Sequence, residues 1–174
     1  MPQDHGRPRP AALVPDDDRR VSEALRHMVW ATWDNRDMAG CLCAVERALG
    51  ERPMRHRNDG DWRFYLSRRA EALERLGRYD EAREAYADLV SKEPDARRRS
   101  EWALRSARTL MYQERWGEAA GAFERVLVDH PGVNDRWDEA QKGIVEALRA
   151  KGDHRGAIQA ARTCLDAARD ASQA

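Results

Sequence analysis

The chain has 174 residues, 36% of them charged, and its 31 basic residues balance its 31 acidic ones to a net charge of zero. That length supplies one domain with an ample core, and the balance argues against the overall basic footprint of a nucleic-acid binder. No apolar run approaches the roughly 18 residues of a membrane span. Three cysteines do not make a disulfide framework, so the reducing cytoplasm is the expected setting.

Residues 1–17 hold four of the seven prolines and no apolar leader segment, and are expected to form a disordered arm. Asp16, Asp17 or Asp18 then caps a first helix. Val21, Leu25, Met28, Val29 and Thr32 follow the spacing of one buried face. A second helix covers about Asp37 to Gly50, and Glu51 to Gly60 is a turn-rich linker, with Asp61 as the next N-cap. The third helix turns Leu66, Arg69, Ala70, Leu73 and Leu76 inward. Its partner runs from Asp80 to Lys92 and stops at Pro94. Asp95 caps a fifth helix that carries Ala103, Ser106, Ala107 and Leu110 on its inner side, and Gly117 to Asp129 is the sixth. The last pair spans about Asp135 to Lys151 and His154 to Ala168, and residues 169–174 are a polar tail. Alternation of the β kind is absent, so the expectation is an all-α chain of about eight helices.

The helices repeat. Gly77, Tyr79, Ala82, Tyr86, Leu89 and Pro94 mark a turn, a helix with a narrow apolar seam, and a stop. Trp116, Ala119, Phe123, Val126 and Pro131 fall on the last five of these after a shift of 37 residues. Gly152, His154, Ala157, Ala161 and Cys164 fall on the first five after a shift of 75, and Met38, Cys41, Val45, Ala48 and Pro53 match after a backward shift of 41. Self-similarity at such periods marks a stacked-repeat architecture, in which no helix pair buries its apolar face alone.

These residues resemble the tetratricopeptide repeat, a helix–turn–helix unit of about 34 residues. The longer spacing here departs from that period. The resemblance covers residues 18–168, as approximate repeats 18–53, 61–94, 95–131 and 135–168. It implies a right-handed α-solenoid whose first helices line a concave groove, and a non-catalytic scaffold or adaptor holding a peptide or partner helix there. The lysine and asparagine clamp with which some members grip a peptide's terminal carboxylate is not reproduced at the matching positions.

In that groove Arg26, Trp30 and Trp33 share one stripe of the first helix. The tryptophans are either anchors for a partner, since aromatic residues dominate binding hot spots, or packing residues of the core or of a homodimer. Phe64, Arg68, Glu71 and Arg75 follow in the second repeat. Glu101, Leu104, Arg105, Arg108, Met111 and Tyr112 follow in the third, and Glu139, Lys142, Glu146 and Arg149 in the fourth. Two readings stay open for these: a solvated face paired with itself, or a peptide groove with a basic and aromatic centre at Arg105, Arg108 and Tyr112.

Two further uses of the chain are weighed. One is self-association into a larger assembly through the end helix or the Trp30 and Trp33 face, although Ile158, Ala161, Cys164, Leu165 and Ala168 read as an adequate cap. The other is a nucleic-acid accessory role through Arg97 to Arg108. Cys41 and Cys43 lie about 200° apart on a helix, and the five histidines are scattered, so no zinc site is expected. No phosphate-cradling loop, nucleophile elbow or metalloprotease helix occurs, so neither a cofactor nor catalysis is expected.

Overall fold

The computed structural model describes residues 15–51, 59–130 and 134–173. Among these residues the chain is eight helices and no strand: α1 (Pro15–Asp34), α2 (Met38–Glu51), α3 (Asp59–Arg75), α4 (Tyr79–Lys92), α5 (Ala96–Tyr112), α6 (Trp116–Asp129), α7 (Asn134–Ala150) and α8 (His154–Gln173). Every helix packs on the next, and α5 also meets α7. The result is an α-solenoid of four helix pairs. Residues 1–14, the greater part of the expected arm, lie outside the described residues, as do 52–58 of the linker and 131–133.

Several boundaries differ from the sequence expectation. Helix α1 opens at Pro15, which suits a first helical position because proline lacks the N–H that would be unpaired there. Asp16, Asp17 and Asp18 therefore fall within its first turn rather than ahead of it. Asp61 lies inside α3 and does not cap it, and α8 runs on through the polar residues to Gln173. Asp95 does cap α5, its side chain accepting from the Arg98 N–H at 2.8 Å.

Each pair is joined by the same tight turn. The second residue after each first helix has a positive φ: Arg36 at 58°, Gly77 at 74°, Glu114 at 57° and Gly152 at 85°. Its successor's N–H then reaches back five residues, from Asp37 to Thr32, Arg78 to Leu73, Arg115 to Leu110 and Asp153 to Leu148, each at 2.9–3.0 Å. This is the Schellman arrangement, which satisfies carbonyls left over at a helix end. Glycine tolerates it; arginine and glutamate are strained by about 1 kcal/mol. Glu114→Gly is expected to stabilise the chain by up to ~1 kcal/mol, and Gly77→Ala to destabilise it by a similar amount. Chemical denaturation checks both.

The second helices keep a small residue at the crossing point: Cys41, Ala82, Ala119 and Ala157 are all buried. One core cluster joins α1 to α4 through residues such as Val29, Val45, Leu73, Tyr86 and Leu89. A second joins α5, α6 and α7 through Leu104, Leu110, Phe123, Val126 and Ile144. Burying a side chain of this size contributes about 1.5–3 kcal/mol. Trp102, on α5, packs against the first cluster and stacks on Tyr86 at 6.0 Å, so it wedges the two halves together. The expected inner face of α1 needs correction. Leu25 and Val29 are buried, but Val21 and Met28 are exposed, because among the described residues no helix packs on that side of α1. Leu76 is likewise exposed at the turn.

Candidate functional site

The first helices are laced to one another by side chains along a single line. At the α1 end, the Arg68 guanidinium lies 4.7 Å from the Trp30 ring centre and 4.4 Å from that of Trp33. Arg75 stacks on the same Trp33 at 4.3 Å, and Arg26 covers Phe64 at 5.3 Å. Trp30 meets Phe64 with the ring centres 5.5 Å apart and the planes tilted by 37°. A cation over an aromatic face is worth about 0.5–2 kcal/mol, more when water is excluded. Trp30 remains 41% exposed, whereas Trp33 is half-buried and rests on the core. The two tryptophans thus differ: Trp33 packs on the core, and Trp30 keeps part of its ring open to solvent.

Next along the line, Glu71 joins α3 to α5. It accepts from Arg68 at 2.8 Å and pairs with Arg105 at 3.1 Å. Beneath it the Tyr86 hydroxyl donates to the Glu74 carboxylate and meets the Arg105 guanidinium. Burial, and then Glu74, push the Tyr86 phenol far above its ordinary pKa, so it stays a donor. Burial works against the Arg105 charge, but Tyr86, Glu71 and Glu74 outweigh it and raise the Arg105 pKa. Tyr86→Phe is expected to cost about 1–2 kcal/mol by removing the hydroxyl that donates to Glu74, a change that thermal unfolding resolves.

At the far end, Arg108 pairs with Glu139 at 3.6 Å, joining α5 to α7. Beside them lies a cleft of about 310 Å³ between these helices, lined by Arg108, Met111, Tyr112, Phe123, Glu139, Lys142, Gly143 and Glu146. Its origin is legible in the repeat register. Glu74, Tyr86 and Arg105 of one junction correspond to Met111, Phe123 and Gly143 of the next. Three polar partners are exchanged together for three apolar ones. Where Arg105 fills the groove, Gly143 leaves it open, and a methyl group there would sit 2.6 Å from the Phe123 ring. Tyr112 stands at the rim, exposed, against Tyr79 at 5.5 Å.

The structure therefore brings Arg26, Trp30, Trp33, Arg68 and Arg75 into one cluster, ties Glu71 and Arg105 to it, and sets Arg108 and Tyr112 at the cleft. Arg149 is exposed in the last turn of α7, apart from both. Leu104, expected in the groove, is instead buried in the core. Phe123 and Gly143 were not read as site residues; the switch from Arg105 to Gly143 at one register position was the available signal. The basic run also has internal uses. Arg99 donates to the Glu93 and Pro94 carbonyls at 2.9 and 2.6 Å, closing the loop between repeats. Among the described residues no cluster of histidine, cysteine and carboxylate groups is arranged to hold a metal, and no helix is long and apolar enough to cross a membrane.

Four stacked helix pairs, the same turn in each, and a line of first helices joined by side chains define a helical-repeat solenoid. Tetratricopeptide repeat family models match residues 64–96 and 104–174, together more than half of the chain. The chain belongs to the tetratricopeptide repeat family, a fold of protein-interaction modules. Among solved structures it is similar to the TPR2B domain of yeast Sti1, determined as a pHsp70 complex. The two share 16% sequence identity and a TM-score of 0.55, covering 74% of this chain and 96% of that one. At that identity the likeness is one of fold. No curated protein matches the chain.

Proposed function

We propose that the chain is a non-catalytic adaptor or scaffold that holds an extended peptide or a partner helix along its first helices, in a reducing compartment such as the cytoplasm. The observation that carries this reading is the cleft between α5 and α7. It has an apolar floor of Met111 and Phe123, and a rim bearing Arg108, Lys142 and Tyr112. An apolar side chain of the partner enters over Phe123, and the rim charges orient the adjoining backbone and any acidic group. Trp30, at the other end of the line, is the second anchor, with Arg26, Arg68 and Arg105 between. Anchors of this kind supply most of an interface's affinity, while rim charges steer. That the Sti1 domain was solved with pHsp70 agrees with a peptide ligand but does not transfer that partner.

The test is selection of peptides from a random display library on the full chain, followed by calorimetric titration. Tyr112→Ala is expected to weaken the selected peptides about tenfold or more and to leave the melting temperature nearly unchanged, because the ring is exposed. Undiminished affinity in both Tyr112→Ala and Lys142→Glu would reject the cleft as the binding site.

A further inference from the structure

The repeat register shows which surfaces the two ends of the solenoid leave uncovered. In the first helices, Ala72, Thr109 and Ala147 occupy one position and are fully buried against the preceding repeat. Their counterpart in α1, Ala31, is exposed, as is Ala24. With Val21 (47% exposed) and Met28 (44%) these form one apolar stripe at i, i+3, i+7 and i+10. In the second helices, Val45, Tyr86 and Phe123 occupy one position and are buried by the following repeat. Their counterpart in α8 is Ala161, flanked by Ile158 (56% exposed) and Leu165 (61%). A solenoid kept as a single stack closes its ends with polar faces. Among the described residues both end helices instead expose apolar side chains.

We propose that copies of the chain stack head to tail, with α1 of one copy lying on α8 of the next as a fifth first helix would. The two stripes are the two halves of the interface already used between repeats inside the chain. Charge agrees with it. Successive helices of the stack run antiparallel, which brings Asp34, at the end of α1, beside Arg155 at the start of α8. Arg155 and Arg162 border the Ile158 and Leu165 stripe and are exposed. The contact joins unlike surfaces, so a pair of copies keeps one of each surface open and can add further copies. It is independent of the groove, since Trp30 and Trp33 lie on the other side of α1.

Sedimentation velocity of the full chain over a wide concentration range tests this. The expected result is a weight-average mass that climbs from the 20.0 kDa monomer past twice that value as concentration rises. Met28→Glu and Leu165→Glu should each hold the chain at the monomer mass with unchanged helicity, because both side chains are exposed. Mixed in equal amounts, the two variants should form a dimer and nothing larger, since each retains one intact end. A monomeric wild type overturns the proposal, and so does a mixture that stays monomeric. Dimers of either variant alone also overturn it, because they place the contact between like surfaces. A monomeric wild type in which Met28→Glu alone lowers the melting temperature would show that the chain's own residues cover α1, which overturns it equally.

Discussion

Phe123→Ala is expected to cost about 3–5 kcal/mol, the range for removing a fully buried phenylalanine. In a chain of this length that corresponds to a fall in melting temperature of roughly 10 °C or more. The ring is 2% exposed and forms the join between α6 and α7 as well as the floor of the cleft. Because each repeat touches only its neighbours, the loss falls on one junction, and α7 with α8 should unfold before the rest. The specific claim is that Phe123 and Gly143 are coupled. Gly143→Ala alone should destabilise by about 1–3 kcal/mol, despite alanine's better helix propensity, because the added methyl group meets the ring. In a Phe123→Leu background the same change should cost far less. A double-mutant cycle by chemical denaturation reads the coupling; additive effects would show that the two residues do not press on each other.

The second large effect is on binding. Trp30→Ala is expected to reduce the affinity of a groove peptide by about thirtyfold or more, as loss of an aromatic hot spot of at least ~2 kcal/mol does. The melting temperature should move little, since much of the ring already faces solvent. Trp33→Ala is expected to behave differently. Its side chain rests on the core and carries both Arg68 and Arg75, so it should cost about 2 kcal/mol of stability, below the range for a fully buried aromatic residue. Calorimetry and thermal unfolding on the two single variants separate the roles. Unchanged peptide affinity in Trp30→Ala would remove that end of the groove from the binding surface.

The contrast between these tryptophans marks how much of the site was legible beforehand. Spacing placed Arg26, Trp30 and Trp33 on one stripe of α1, and the register added Arg68, Arg75 and Arg105. Spacing along one helix does not say what approaches from the next. Arg68, from α3, inserts between the two rings and also holds Glu71, so much of the arginine charge counted along the groove is engaged within the chain. The same limit explains Leu104, assigned to the groove by position but covered by the junction between α5 and its neighbours. The cleft was missed because it arises from an absent side chain, and an absence becomes a cavity only when the facing helix fails to fill it.

What the sequence determined by itself is the helix content, the pairing and the stacking. Small residues at Cys41, Ala82, Ala119 and Ala157, with the larger Val45, Tyr86 and Phe123 four positions on in the first three repeats, permit close crossings in one order only, because each helix has a single narrow apolar seam to bury. It also determined the repeated turn well enough that Glu114 and Arg36 adopt the glycine conformation without being glycine. Tertiary structure alone decided which tryptophan is exposed and which rests on the core, which arginines are engaged, where the cleft opens, and that the described residues of both end helices expose apolar side chains. Those properties depend on the distance between side chains of different helices. That distance is set by the packing of the whole stack and not by the pattern along any one helix.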